Sequence, residues 1–131
     1  MMFEKYMIVP EEAKNLSDKP NHIIGFQFGA RLPYYRGLEL SMVEEIKVKV
    51  DGAPVPTDNL SITLHGNTYT LAQLETEYAD RWEMGEVAIV CVKQEGGLSP
   101  GQHQLELLLN LRISYMPFPQ VRQSTKMIYI A

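Results

Sequence analysis

The sequence contains a single cysteine, Cys91, in 131 residues. No intrachain disulfide can therefore form, and a cysteine-built metal site is excluded. Cys91 lies inside the apolar run Val87-Ala88-Ile89-Val90-Cys91-Val92 with no histidine or lysine beside it. That is the setting of a buried strand thiol rather than of a nucleophile. Cationic residues are few and scattered, with 12 Lys and Arg against 16 Asp and Glu and a formal net charge of −4. A nucleic-acid or anionic-membrane partner requires a concentrated basic patch, and the sequence has none. No apolar run approaches the ~20 residues of a membrane-spanning helix. The stretch from Met1 to Pro10 mixes acid with base and lacks the apolar centre of a signal peptide, so the chain reads as cytoplasmic. Internal repeats, low-complexity tracts, linkers, phosphate-cradling glycine loops, dinucleotide fingerprints and a Ser-His-Asp order are also missing.

What is present is the composition of one ordinary globular domain over residues 1–131, 45% hydrophobic and 21% charged. From Ile24 to Leu32 apolar side chains occupy every second position, as a half-buried strand requires. The alternation returns at Ile46-Lys47-Val48-Lys49-Val50 and runs into Asp51-Gly52, a hairpin signal. The return through Pro54-Val55-Pro56 is confined to a sheet edge by its prolines. Leu60 to His65 and Thr68 to Thr70 read as strands around a Gly66-Asn67 turn, and Glu86 to Val92 as another. Gly96 to Gly101 is a surface connection. The clearest strand runs from His103 through Leu105, Leu107, Leu109, Leu111 and Ile113 to Tyr115, with only Leu108 out of pattern, and Met127 to Ile130 forms a last short one. Thr70 with Gln73 makes a capping box, and Leu71, Leu74 and Tyr78 at helical spacing predict one short helix over 71–78. About eight strands and one helix fit an all-β, antiparallel β-sandwich of immunoglobulin-like or jelly-roll-like outline.

Chemistry-bearing patterns are sparse. His22, His65 and His103 are not at ligand spacing, so no metal site is expected in this chain and no catalytic residue is assigned. His65 is the most exposed to ligand chemistry because it adjoins a flexible turn. Glu75, Glu77, Asp80, Glu83 and Glu86 raise the idea of a glycosidase carboxylate pair, but a charge run after a short helix reads as a solvated face. Aromatic, arginine and proline residues instead gather at strand ends, in Pro33-Tyr34-Tyr35-Arg36-Gly37, Arg81-Trp82-Glu83-Met84-Gly85 and Ser114-Tyr115-Met116-Pro117-Phe118-Pro119. These are residue types enriched in binding hot spots, with Trp82 as a core anchor the plain structural alternative.

Six segments, in order, carry a resemblance: Gly25-Phe26-Gln27-Phe28, Leu32 to Gly37, His65-Gly66-Asn67-Thr68-Tyr69-Thr70-Leu71, Asp80-Arg81-Trp82-Glu83, Gly97-Leu98-Ser99-Pro100-Gly101 and Arg112 to Pro117, preceded by Met2-Phe3-Glu4-Lys5-Tyr6. Together they resemble the β subunit of bacterial C-glycoside deglycosidases over nearly the whole chain. The resemblance implies a small sandwich that assembles with a larger α subunit, a sugar-isomerase-like barrel holding a divalent metal, commonly manganese, in a higher-order hetero-oligomer. It further implies that a separate oxidoreductase supplies a 3-oxo C-glycoside. The complex then removes the acidified C2 proton and eliminates the aglycone, breaking the anomeric C–C bond. On that footing Tyr34, Tyr35, Arg36, Arg81, Trp82, Tyr115, Met116 and Phe118 are expected at the partner interface, and His65, Asn67 and Tyr69 near the substrate. Two other readings stand beside it: a carbohydrate-binding sandwich acting alone, and an enzyme using the His and Glu residues of this chain.

Overall fold

The computed structural model describes residues 6–33, 37–112 and 120–131. Over these the chain is mostly β, as the alternation predicts, in eleven strands. They are β1 (Ile8–Lys19), β2 (His22–Arg31), β3 (Leu38–Glu39), β4 (Val43–Val50), β5 (Ala53–Pro54), β6 (Leu60–Leu64), β7 (Asn67–Thr70), β8 (Arg81–Trp82), β9 (Val87–Lys93), β10 (Gly101–Leu111) and β11 (Gln120–Ile130). One helix, α1 (Leu71–Leu74), and two 3-10 turns, Leu40–Met42 and Thr57–Asn59, interrupt them. A five-stranded sheet has the order β1-β2-β9-β6-β7 and a four-stranded sheet the order β11-β10-β4-β5, all pairs antiparallel, while β3 and β8 form a short ribbon. The edge strands β1 and β11 run alongside each other.

Both sheets feed one hydrophobic core. Phe26, Phe28, Ile62, Val90 and Val92 of the first meet Ile46, Val48, Leu105, Leu107 and Leu109 of the second, all nearly or wholly buried. Each such aliphatic or aromatic side chain contributes about 1.5–3 kcal/mol on burial. In β4 the alternation of Ile46, Val48 and Val50 is out of phase with buried Val43. The register shift opposite Asn110 and Leu111 inserts one residue and returns Val43 to the core side. Leu108, the one apolar residue out of pattern in β10, faces outward between Lys47 and Gln123 and is half-buried by them.

Three expectations are corrected and one strand is added. The helix ends at Leu74, not 78: its capping box forms, but the next turns close on Gln73 and Leu74 carbonyls at i+3, and Tyr78 is exposed. The β6–β7 turn is His65-Gly66, one residue earlier than Gly66-Asn67, since both of its residues adopt positive φ, 53° and 81°. Strand β1 has no alternation in the sequence, because Pro10, Glu11 and Glu12 break its pattern, and it bulges between Val9 and Lys14. Strand β11 extends back to Gln120, its polar residues paired in unbroken register with β10. The expected strand beyond Leu111, from Ile113 to Tyr115, lies outside the described residues. β5 sits at a sheet edge, as its proline requires.

Candidate functional site

The two-residue turn at the tip of β6–β7 puts His65 between two carboxylates. Its Nδ1 lies 2.7 Å from Asp80 Oδ1 and its Nε2 2.5 Å from Glu86 Oε2. Carboxylates only accept hydrogen bonds, so both contacts are hydrogen bonds only when both ring nitrogens carry a proton, as in the imidazolium form. Asp80 also accepts from the Tyr69 hydroxyl at 2.8 Å and from its neighbour, the Arg81 amide, at 2.9 Å. Glu86 accepts from the Glu83 amide at 2.9 Å through its other oxygen. His65 thus ties both ends of the segment 80–86 to the β6–β7 hairpin.

Electrostatics follow from these bonds. The hydrogen bonds to Asp80 and Glu86 raise His65 above its ordinary value. Burial pulls Asp80 up, but the bonds from His65, Tyr69 and the Arg81 amide outweigh it and leave the carboxyl below its usual range. Glu86 is lowered by the Glu83 amide and then, against burial, by His65. The hydrogen bond to Asp80, with burial adding to it, pushes Tyr69 up to about 12, so its phenol stays protonated. Among the described residues no three His, Cys, Asp or Glu side chains are grouped to hold a metal ion. At His65 the carboxylates occupy opposite ring nitrogens and cannot converge with a lone pair on one point, so these residues do not fit a metal.

The same end of the sandwich gathers other strand termini. Arg81 donates to the Gly37 carbonyl at 3.0 Å and pairs with Glu83 at 3.1 Å. Leu40 and Ser41 amides bond the Asp80 and Glu77 carbonyls, drawing the 77–80 loop against the 3-10 turn. Arg112, at the end of β10, bonds back to the Met42 carbonyl. Arg31 reaches the Gly85 carbonyl at 3.3 Å. Around this frame Tyr6, Tyr78 and Met84 are more than half exposed. Asn67 and Tyr69 line an open polar groove of about 460 Å³ with Thr68, Gln73, Thr76 and Glu77.

Comparison with known proteins bears on what such an arrangement serves. The family model described as "C-glycoside deglycosidase beta subunit" matches residues 3–115. The chain belongs to the family of C-glycoside deglycosidase beta subunits. A relative of that name from Eubacterium cellulosolvens is 34% identical over 114 residues, 87% of this chain and 78% of the relative. Another from Arthrobacter globiformis is 30% identical over 107 residues, 81% of each chain. A 3'-dehydrocarminate deglycosidase beta subunit from a Microbacterium species is 34% identical over 93 residues, 71% of this chain and 70% of the relative.

Within this beta-subunit chain, the expected site residues separate. His65, Asn67 and Tyr69 share the β6–β7 hairpin, with His65 and Tyr69 joined through Asp80. Arg81 is exposed beside Gly37. Trp82 is a correction: it is wholly buried and its indole N–H donates to the Glu86 carbonyl at 2.8 Å, so it is a core anchor with no surface for a partner. Tyr34, Tyr35, Arg36, Tyr115, Met116 and Phe118 lie outside the described residues. Asp80 and Glu86 were read as part of a solvated acidic face. They are partners of His65 across 15 and 21 residues, and only the proximity of a histidine beside a turn hinted at it.

All three histidines sit between two acceptors, which gives stability a pH dependence. His22 is raised by Asp18 and then Glu95, and His103 by Asp51 and then the Ser99 carbonyl. A histidine raised on folding contributes stability that is fully present below its unfolded value of 6.5 and is lost as pH rises through the folded value. Asp51, Asp80 and Glu86 are lowered, so their contribution is present above the ordinary carboxylate range and lost as pH falls through the folded values. The thermal midpoint is therefore expected to peak between about pH 5 and 6.5 and to decline toward about pH 8.5. A midpoint that rises steadily over that range in a pH series of thermal melts contradicts this account.

Proposed function

We propose that this chain is the non-catalytic subunit of a heteromeric C-glycoside deglycosidase, a carbon–carbon lyase that cleaves the anomeric C–C bond of 3-oxo-C-glycosides by proton abstraction and elimination. The metal-dependent active site, with manganese, belongs to a sugar-isomerase-like barrel α subunit, and the complex works in the cytoplasm as a higher-order assembly. Membership of the beta-subunit family over residues 3–115 carries this reading. A second support is chemical. Taking a proton from carbon requires a base with an open lone pair, whereas His22, His65 and His103 each have both ring nitrogens facing an acceptor.

The partner is proposed to dock on the sandwich end that carries Arg81, with the segments holding Tyr34, Tyr35 and Arg36 and Tyr115, Met116 and Phe118 contributing. Substrate approaches His65, Asn67 and Tyr69, where the polar groove offers amide, hydroxyl and carboxylate partners for sugar hydroxyls. The test is co-expression with a sugar-isomerase-like chain, followed by size exclusion with light scattering. Co-elution as one heteromer, active on 3-oxo C-glycosides with added manganese and silent for either chain alone, is expected. Separate elution, with this chain a monomer that binds sugar unaided, replaces the subunit reading with the carbohydrate-binding one.

A further inference from the structure

We propose that His65 is a proton-operated staple for the 80–86 segment, fixing it in the form that meets the partner subunit when the ring is charged and releasing it when the ring is neutral. The docking half of this rests on the subunit reading above; the staple rests on geometry alone.

The geometry has three parts. First, His65 reaches both ends of one segment, Asp80 at 2.7 Å and Glu86 at 2.5 Å, and between them lie exposed Arg81 and Met84. Second, both acceptors are carboxylates. A neutral imidazole has one N–H and one lone pair, so on losing its proton the ring must present a lone pair to one carboxylate and can hold only the other. Third, no other cation among the described residues stands ready to replace it. The Arg81 guanidinium is turned to Glu83 and the Gly37 carbonyl, the Arg31 guanidinium beside Glu86 is turned to the Gly85 and Tyr6 carbonyls, and the other titratable groups around the cluster, Tyr69 on β7, Glu77 on the preceding loop and Glu83 on the turn, are neutral or acidic. Deprotonation therefore leaves two carboxylates facing each other across an uncharged ring. Being 42% exposed, the side chain exchanges its proton with solvent freely. The raised affinity of the ring for its proton agrees with this arrangement.

The amides of Arg81 and Glu83 report the state of the staple, since each bonds one of its two carboxylates. Their hydrogen-exchange protection factors are to be measured in the full chain between about pH 6 and 9. The wild type is expected to lose protection as pH rises, by at most about tenfold per pH unit, the limit for release of one proton. The variant His65→Asn keeps a residue that tolerates the positive φ of the turn but cannot span both carboxylates, and is expected to show low protection at every pH with no slope. Flat wild-type protection, or a variant that matches the wild type, overturns the staple. The same pH series on the co-purified heteromer tests docking: its Kd is expected to rise with pH in the wild type and to lose that slope in His65→Asn. A flat Kd beside sloping protection overturns the gating. No heteromer at any pH, with sloping protection intact, overturns the subunit reading and leaves the staple standing.

Discussion

Replacing Trp82 with Ala is expected to lower the stability of the fold by about 3–5 kcal/mol, read as a shift in the urea midpoint followed by circular dichroism. Trp82 is wholly enclosed, pairs with Leu38 across the β3–β8 ribbon and gives its indole N–H to the Glu86 carbonyl. Removing it opens a cavity the size of an indole, which a two-residue strand held by few other bonds cannot collapse into fully. The substitution Trp82→Phe separates the two contributions. It refills most of the volume and leaves the Glu86 carbonyl short of a donor, a loss of about 1 kcal/mol for the bond itself. A Trp82→Ala midpoint within experimental error of the wild type is incompatible with a core anchor. The consequence reaches the surface, because the same segment carries both carboxylates that hold His65. Loss of a heteromer in Trp82→Ala would therefore reflect collapse of the segment and not the removal of a contact.

A methyl group on Gly25 is expected to cost about 3 kcal/mol, although it adds only one carbon. A Cβ at Gly25 would be driven into the Val92 carbonyl oxygen, with the Val92 carbon 3.1 Å and the Gln94 amide 3.3 Å away. All three are backbone atoms of the facing strand β9 and its exit, so no rotamer change relieves the overlap, and the two central strands must part. Gly29, four pairs along the same ladder, is the informative control. There a Cβ meets side-chain atoms, Val9 Cβ at 2.9 Å, Val87 Cγ1 at 3.0 Å and Glu12 Cγ at 3.1 Å. Val9 and Glu12 sit on the bulged edge strand β1, which can give, and Val87 meets the new carbon only through a side-chain methyl, so Gly29→Ala is expected to cost about 1 kcal/mol. Thermal melts of the two variants should rank in that order; the reverse ranking would show that β9 moves more readily than the β1 bulge.

The parts of the fold visible in the sequence are those where local pattern and tertiary environment agree. β10 and β2 alternate because one face of each is buried, and the Thr70–Gln73 capping box is a purely local device that formed where the residues placed it. β11 was hidden because Gln120 to Lys126 has polar residues on both faces; it is a strand because β10 offers it a complete hydrogen-bond edge. Tyr78 fits a helical stripe in one dimension, whereas the chain turns at Leu74 so that the Glu77 and Asp80 carbonyls can serve Ser41 and Leu40. At the site, His65 was visible as a residue and its partners were not. The left-handed backbone of a two-residue turn aims its ring at a loop 15–21 residues further on, a direction no spacing rule encodes.

The strand order of the larger sheet sets how the molecule reaches this state. β2 and β9, neighbours at its centre, come from parts of the chain roughly sixty residues apart, and β4 meets β10 across a similar span. Contacts that distant are slow to find, since the loop must close before any pairing energy is gained. Until β9 arrives, β2 is paired only with β1, and its edge beside Phe26 and Phe28 remains open to solvent and to other copies of the chain. The yield on refolding is therefore expected to rise with dilution, which slows self-association and leaves closure of that long loop unaffected.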